Sequence, residues 1–435
     1  MRKMITVLWF SLAAVVALGE RADAIEIQRV VSPGGIEAWL VEDHAIPVVS
    51  LSLAFTGGAS QDPVLAPGVA NMVSGLLDEG ASYLDSKTFQ TRLDDLSIEL
   101  SYDASRDAFT GSLRTLEENL DEAANLLRLS LRWPRFDDEP VERIRDQILA
   151  SIRRNERSPG RVAGSAVMEA AFPGHPYGRP VQGTAASLAR IEVGDLRRFH
   201  RNTIAQDNLT VAVVGAINAE KLAELLDRVF GGLPETAQLV EVNDARPVVE
   251  ERIDIEMAIP QTNIRLIAPG IKRDDPKFID GYVAAFILGG GGFTSRLFDE
   301  IREQRGLAYS VGLSLGALDH AGLVSGGTST RADQADEVVD IIEQEVRRYA
   351  EDGPTEDELQ KAKNYLIGSY PLRFTTSSRI ANQLLFIQLD KLGIDYVDRR
   401  NDLIAELTID DVREAAARLF AGGGLTIVKV GQPAS

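Results

Sequence analysis

The sequence L-T-V-A-V-V-G at Leu209–Gly215 recurs as L-T-I-V-K-V-G at Leu425–Gly431, 216 positions later. Each copy is a short apolar run that is rich in β-branched residues and ends in glycine, a pattern typical of a buried strand. A strand that returns almost unchanged late in a chain indicates an internal repeat.

Two further similarities have nearly the same offset. The segment Asp336–Ile342 resembles Asp121–Leu127, 215 positions earlier, and the helix-opening Pro354 follows Pro140 by 214 positions. Three matches at almost one offset predict two homologous α/β halves of roughly 200 residues. The expected fold class is α+β, in which each half has a mixed, largely antiparallel sheet with helices packed on it.

A linker is expected at 233–250, because this segment has no clear hydrophobic period and contains two prolines. The predicted domains are therefore 25–232 and 251–435, after a leader at 1–24. In the leader, Arg2 and Lys3 precede an apolar run, and Ala-Asp-Ala ends it, which fits a cleaved signal peptide. The run is shorter than a membrane span requires, which argues against a transmembrane anchor. We expect an exported protein, and a Gram-negative periplasm fits.

The composition excludes several kinds of site. The 435 residues include no cysteine, so a disulfide framework, a thiol nucleophile and Cys-ligated zinc are excluded. The formal net charge of −19 repels nucleic acid and anionic lipid. The four histidines, at positions 44, 175, 200 and 320, are too far apart in sequence to form a helical zinc pair. There is no Gly-x-Ser-x-Gly motif, so these residues alone indicate a protein that binds something.

A helix is predicted at Pro67–Gly80, which reads P-G-V-A-N-M-V-S-G-L-L-D-E-G. Proline can open a helix, glycine can close it, and the apolar residues between them recur at helical spacing. The opposite face includes Asn71, Ser74 and Gly75. These residues are small or polar, and the face has no imidazole, thiol or strong base.

Local signals predict several other elements. Capping boxes are expected at Thr115-x-x-Glu118 and Thr355-x-x-Glu358. The four glycines at 289–292 are interpreted as a flexible turn between helices, because no Gly-Lys-Ser/Thr follows them and a helical pattern precedes them. A charged amphipathic helix is expected at 295–305, followed by a strand from 307.

Arg302 and Tyr309 are candidates for binding. A guanidinium near the end of the predicted helix and a phenol in the following strand could both donate hydrogen bonds to one carbonyl or to a developing oxyanion. From these two residues alone, a solvated helix arginine and a core tyrosine are the simpler interpretation.

The run S-R-L-F-D-E-I-R-E-Q-R-G-L-A-Y-S at Ser295–Ser310 resembles the C-terminal half of the pitrilysin-like zinc peptidases, or inverzincins, which include the mitochondrial processing peptidases. The resemblance extends across nearly the whole mature chain and includes the loop Pro173–Gly178 and the strand at 208–215. It implies that the two halves form half of a clam-like chamber. It also implies that Arg302 and Tyr309 bind substrate near the scissile carbonyl.

The zinc motif of this family, His-x-x-Glu-His, precedes a Gly-(Thr/Ala) step. Counting back from Gly80 places the motif on Asn71, Ser74 and Gly75, so all three signature residues are missing. The position of a further Glu ligand, on the next long helix, falls at Ala150 or Ser151, and neither can bind zinc. The chain is therefore expected to have no metal, no cofactor and no catalytic residue of its own.

The resemblance implies a non-catalytic subunit of an exported heterodimeric zinc metallopeptidase, similar to the inactive partner in bacterial two-domain members and to the alpha subunit of the mitochondrial processing peptidase. The homologous His-x-x-Glu-His partner would hold the zinc, and Arg302 and Tyr309 would complete its active site for peptide hydrolysis. The peptide would add a strand to a sheet edge. The alternatives are a structural or peptide-binding scaffold with no role in catalysis, and an active stand-alone peptidase, which would bind zinc.

Overall fold

The computed structural model describes residues 26–422 and 424–432. The predicted leader at 1–24 lies outside the described residues. The strands of the described chain are β1 (Gln28–Val31), β2 (Glu37–Glu42), β3 (Val48–Thr56), β4 (Glu99–Ala104), β5 (Ala108–Leu116), β6 (Leu209–Gly215), β7 (Arg252–Glu256), β8 (Gln261–Pro269), β9 (Ala308–Leu318), β10 (Ala321–Arg331) and β11 (Thr426–Gly431).

The strands form two sheets of the same design. The first has the order β1-β2-β6-β3-β5-β4 and the second the order β7-β11-β8-β10-β9. In both, the strand that recurs in the sequence (β6 or β11) is parallel to β2 or β7, and the remaining pairs are antiparallel. The predicted duplication and the mixed, largely antiparallel sheets are confirmed.

Helices cover both sheets. They are α1 (Val69–Ser74), α2 (Ser86–Asp95), α3 (Leu120–Arg132), α4 (Asp138–Asn155), α5 (Pro159–Ala171), α6 (Ala185–Leu188), α7 (Val193–Thr203), α8 (Ala219–Phe230), α9 (Phe278–Ala285), α10 (Arg296–Phe298), α11 (Ala335–Asp352), α12 (Glu356–Gly368), α13 (Ser377–Leu389), α14 (Tyr396–Ala405) and α15 (Ile409–Phe420), with π-helical segments at Phe286–Gly290 and Asp299–Gln304. None of the helices described here has the length and apolar composition needed to cross a bilayer. The predicted linker at 233–250 contains no helix or strand.

The two halves exchange a helix, which sequence analysis did not predict. Helix α13 of the second half packs on β3 and β6 of the first sheet, where Leu384 and Leu385 meet Trp39 and Val214 in one buried cluster. Polar bonds fix its register, since Ser52 Oγ donates to Asn382 Oδ1 at 2.7 Å.

Helix α5 of the first half packs in return on β8 and β11 of the second sheet. Its Ala163 and Val167 lie in one buried cluster with Ile267 and Val428. Each sheet therefore has one face covered by helices of its own half and the other by a helix of the other half.

Three local predictions were wrong or incomplete. The helix expected at 67–80 ends at Ser74, because Gly75 closes it and the chain continues as turns that still bury the following leucines. The capping box at Thr115 does not form, since Thr115 pairs with Val49 in the sheet; the box at Thr355 and Glu358 is confirmed. The helix expected at 295–305 is α-helical only over α10 and continues as a π-helix.

The exchanged helix should stabilise both halves together. Leu384 is fully buried between α13 and the first sheet, so Leu384→Ala should lower the free energy of unfolding by about 2–5 kcal/mol, because it removes apolar contacts and leaves a cavity. Urea unfolding followed by circular dichroism measures this loss. Phe386→Ala on the same helix is the control, because Phe386 is 56% exposed and should change stability by less than about 0.5 kcal/mol. Equal losses of stability in the two variants would contradict the burial of Leu384 against the first sheet.

Candidate functional site

Helix α1 carries two of the three positions where the zinc motif was expected. Ser74 is buried and its Oγ donates to the backbone oxygen of Asn71 at 2.9 Å, so the hydroxyl is used within the helix. Gly75 caps the helix, and a Cβ at this position would lie 3.1 Å from Ile144 Cγ2 on α4. A side chain larger than glycine would therefore require Ile144 to move.

The N-terminus of α1 is capped from outside the helix. The residue that precedes it, Gly68, has φ +106° and no side chain. The buried carboxylate of Asp62 takes over this role by accepting from Gly68 N at 2.7 Å and from Ala70 N at 2.8 Å. The sequence does not predict this role for Asp62, because a capping residue six positions before Gly68 does not follow the usual spacing.

The other candidate ligands are not assembled around α1. Ala150 and Ser151 are half-buried on α4 and cannot bind zinc. Each of the four histidines contacts a protein oxygen: Glu42 for His44, the backbone of Asn243 for His175, the backbone of Leu131 for His200, and Asp244 for His320. Among the described residues, no group of three or more His, Asp or Glu could hold a metal ion.

The structure brings Arg302 and Tyr309 together. The guanidinium carbon of Arg302 lies 4.7 Å from the ring centroid of Tyr309, 4.8 Å from that of Phe298 and 5.4 Å from that of Phe293. We call these three rings the aromatic cradle. Cations are attracted to aromatic faces at such distances, so the cradle holds the guanidinium without using its N–H groups.

Within residues 26–422 and 424–432, the side-chain N–H groups of Arg302 have no hydrogen-bond acceptor and are available to a ligand. Glu303 Oε1 lies 3.8 Å from Nε, too far for a hydrogen bond. Tyr309 is 82% exposed and Phe293 is 76% exposed, whereas Phe298 is buried. The site is therefore an open surface on which a guanidinium and a phenol can both donate hydrogen bonds. The sequence pattern indicates the pair but gives no sign that Phe293 and Phe298 pack on the guanidinium.

Irregular backbone positions this pair. Arg302 lies in the π-helical segment Asp299–Gln304, which rotates its side chain relative to a regular helix. Gly306 then turns the chain with φ +64°, a conformation that glycine adopts without strain. Its N–H bonds the carbonyl of Arg302 at 3.0 Å, and the next N–H, of Leu307, bonds Ile301 O at 2.9 Å.

A β-bulge at the start of β9 exposes Tyr309. Thr328 pairs with Val311 and Thr330 pairs with Ala308, so Tyr309 and Ser310 together face the single residue between the threonines. Both residues are exposed, although a regular strand would turn one of them into the core. The threonine hydroxyls bond Ser310 O and Leu307 O at 2.6 Å, which stabilises the bulge.

The loop at 173–178, quoted for the family resemblance, lies between the two halves. The buried Tyr177 donates from its hydroxyl to Asp107 Oδ1 at 2.7 Å and accepts from His320 N at 3.0 Å. Asp107 Oδ2 accepts from Asp319 N at 3.1 Å. These bonds tie the first half to the β9–β10 hairpin, so this loop has a structural role.

Two family models match the chain. The model "Insulinase (Peptidase family M16)" matches residues 38–185, and the model "Peptidase M16 inactive domain" matches residues 190–366. Together they cover about three quarters of the sequence. The chain belongs to the M16 peptidase family. The resemblance inferred from the sequence is thus confirmed.

Its M16 relatives match over almost the whole chain. It is 28% identical over 417 residues to the "non-peptidase homolog YmxG" of Helicobacter pylori, with 91% of this chain and 95% of that protein covered. It is 27% identical over 405 residues to an "uncharacterized zinc protease" of Streptomyces coelicolor, with 90% and 86% covered.

A crystal structure titled "peptidase M16 inactive domain", from Pseudomonas fluorescens, superposes with a TM-score of 0.88 at 29% identity, with 94% of this chain and 98% of that one covered. With Asn71, Ser74 and Gly75 at the motif positions, the chain is an inactive M16 homologue of the non-peptidase type.

The stability of this M16 chain should depend on pH through Asp62. Burial raises the pKa of its carboxyl from 3.8 to about 7, against the backbone hydrogen bonds and Arg179, which lower it. The stabilising contribution of the protonated group is therefore complete below pH 3.8 and is lost as the pH rises through 7. Urea unfolding at about pH 5 and about pH 8 should show wild type losing stability relative to Asp62→Asn, which cannot ionise. If wild type and Asp62→Asn differed in free energy of unfolding by the same amount at both pH values, the result would contradict this role of Asp62.

Purified protein should contain no stoichiometric zinc by metal analysis. The combined change Asn71→His, Ser74→Glu and Gly75→His should not restore zinc binding, because it supplies two imidazoles, whereas catalytic zinc sites use three protein ligands. The contact of residue 75 with Ile144 adds a steric obstacle. Wild-type protein with about one zinc per chain would contradict this prediction and favour a stand-alone peptidase.

Proposed function

We propose that this M16 homologue is the non-catalytic subunit of an exported heterodimeric zinc metallopeptidase. The observation that carries the proposal is the contrast between the two candidate sites. The expected zinc positions on α1 and at its C-cap hold residues that are not zinc ligands in proteins, whereas the half-buried Arg302 and the exposed Tyr309 lie side by side with hydrogen-bond donors to offer. The partner would be a homologous chain with an intact His-x-x-Glu-His motif and its zinc.

The chemistry proposed for Arg302 and Tyr309 is electrostatic. Both side chains can donate to the carbonyl of a bound peptide, and donors aimed at the oxygen stabilise the negative charge that develops there when water attacks. The aromatic cradle supports this role because it fixes the guanidinium in advance. Neither residue can activate water, so the reaction requires the zinc site of the partner.

The sheet edges suggest how a peptide would bind. Strand β9, which begins with Ala308 and Tyr309, is one of the two terminal strands of the second sheet. Strand β4 is one of the two terminal strands of the first sheet and packs against α1. An extended peptide that pairs with a terminal strand gains main-chain hydrogen bonds and depends little on its sequence. We propose export from the leader at 1–24, which combines basic residues with an apolar run.

The proposal predicts that cleavage requires both chains. After co-expression with a homologous His-x-x-Glu-His partner, the purified complex should cleave an unstructured peptide, and the partner alone should not. Arg302→Ala and Tyr309→Phe should each lower kcat/KM by about 10²–10³, because each removes a hydrogen-bond donor to the oxyanion. Peptide hydrolysis by the purified complexes measures this.

Two control variants are available in the same half. Arg305→Ala removes an exposed arginine that is paired with Glu300, and Tyr365→Phe removes the hydroxyl of another exposed tyrosine. Both should leave kcat/KM within about a factor of two to three. A partner that is fully active alone would overturn the proposal. An assembled complex that keeps full activity with Arg302→Ala and Tyr309→Phe would favour the scaffold instead.

A further inference from the structure

A second surface feature lies in the first half and has no part in the proposed function. It is a shallow pocket of about 400 Å³ between the end of α3 and helix α7. Four arginines line it, namely Arg132, Arg135, Arg197 and Arg201, together with His200 and Trp133. No aspartate or glutamate is among its lining residues. In a chain with a net charge of −19, a pocket lined by four arginines is a marked local reversal of charge.

Three of these arginines have no carboxylate partner in the part of the chain that the structure describes. Arg135 is the exception, because its Nε bonds Asp137 Oδ2 at 2.5 Å. Arg132, Arg197 and Arg201 form no ion pair with the described residues. Like charges that line one pocket repel one another, and an anion bound between them removes that repulsion. The arrangement therefore favours a bound anion over an empty pocket.

Arg132 is positioned by packing. Its guanidinium carbon lies 4.3 Å from the ring centroid of Trp133, and that of Arg128 lies 5.4 Å from the same ring. The guanidinium also passes so close to Gly232 that a Cβ there would overlap its carbon atom. A half-buried arginine held by stacking is ordered in advance and therefore loses little entropy when it binds a ligand.

His200 adds a second fixed polar group. Its Nε2 donates to Leu131 O at 2.7 Å, and its ring packs edge-on against the buried Phe136 at 6.3 Å between centroids. This hydrogen bond uses Nε2 and leaves Nδ1 for other contacts. Burial lowers the pKa of His200, so the imidazole is neutral at neutral pH and the arginines supply the charge.

We propose that this pocket binds a phosphate-class oxyanion, coordinated by Arg132, Arg197 and Arg201. Guanidinium groups bind such groups through paired N–H donors, and the bonds are stronger than those between neutral partners. The same chemistry occurs in free inorganic phosphate and in the headgroup of an anionic phospholipid. The pocket is an anion site in either case, and the two sources can be separated by experiment.

The first experiment titrates inorganic phosphate into the full-length protein by calorimetry at fixed ionic strength, because salt screens the interaction. Wild type should bind saturably, with one phosphate per chain. Arg197→Gln combined with Arg201→Gln should weaken binding by about tenfold or more, because it removes two charged donors from exposed positions.

The matched control is Arg190→Gln combined with Arg198→Gln. It makes the same change in net charge with two exposed arginines that do not line the pocket, and it should bind phosphate like wild type. Thermal unfolding of all three proteins checks that each is folded.

The second experiment measures sedimentation with phosphatidylcholine vesicles, with and without phosphatidylglycerol. Binding to phosphatidylglycerol vesicles that is lost in the Arg197/Arg201 variant identifies a lipid headgroup as the source, and phosphate binding without vesicle binding identifies a soluble anion. No saturable binding to either probe overturns the proposal. Equal weakening in the test and control variants also overturns it, because it would reflect net charge alone.

Discussion

The structure depends on covering the second face of each β-sheet. The helices of one half cover one face of their own sheet, and the other face is apolar as well, with Trp39, Val41 and Val214 on the first sheet and Val428 on the second. An apolar face of this size cannot remain in water. Each half solves the problem with a helix from the other, α13 for the first sheet and α5 for the second. The two copies therefore depend on each other, because each supplies the helix that buries the second face of the other's sheet.

The packing that results from this exchange supports irregular backbone segments. Both halves turn from a helix into their terminal strand through a residue with positive φ, Ser97 before β4 and Gly306 before β9. In the second half, a π-helical segment precedes this turn and a β-bulge follows it. Such features are costly in isolation and persist where the surrounding structure supports them. Here they place Arg302 and Tyr309 side by side on the surface.

The two halves share one architecture but differ in the residues at their candidate sites. In the first, α1 is held by an external cap from Asp62, and Ser74 and Gly75 are taken up by packing and by the end of the helix. In the second, the backbone places a half-buried guanidinium beside an exposed phenol. The proposed role beside a zinc-binding partner rests on this contrast between the two halves.

The sequence by itself determined the duplication, the sheet class, the family and the identities of Asn71, Ser74, Gly75, Arg302 and Tyr309, because these depend on residue type and on spacing along the chain. It also predicted the capping box at Thr355, which is local.

The tertiary structure decided the exchange of α5 and α13, the early end of α1, the loss of the Thr115 capping box and the aromatic cradle. The exchange of helices and the loss of the capping box depend on contacts between residues distant in sequence, and the other two depend on the path of the backbone. Thr115 pairs with a strand that precedes it by more than sixty residues, and Asp62 reaches its helix through a glycine turn. A π-helix and a β-bulge have no strong residue signature, so only the packed chain sets where Arg302 and Tyr309 point.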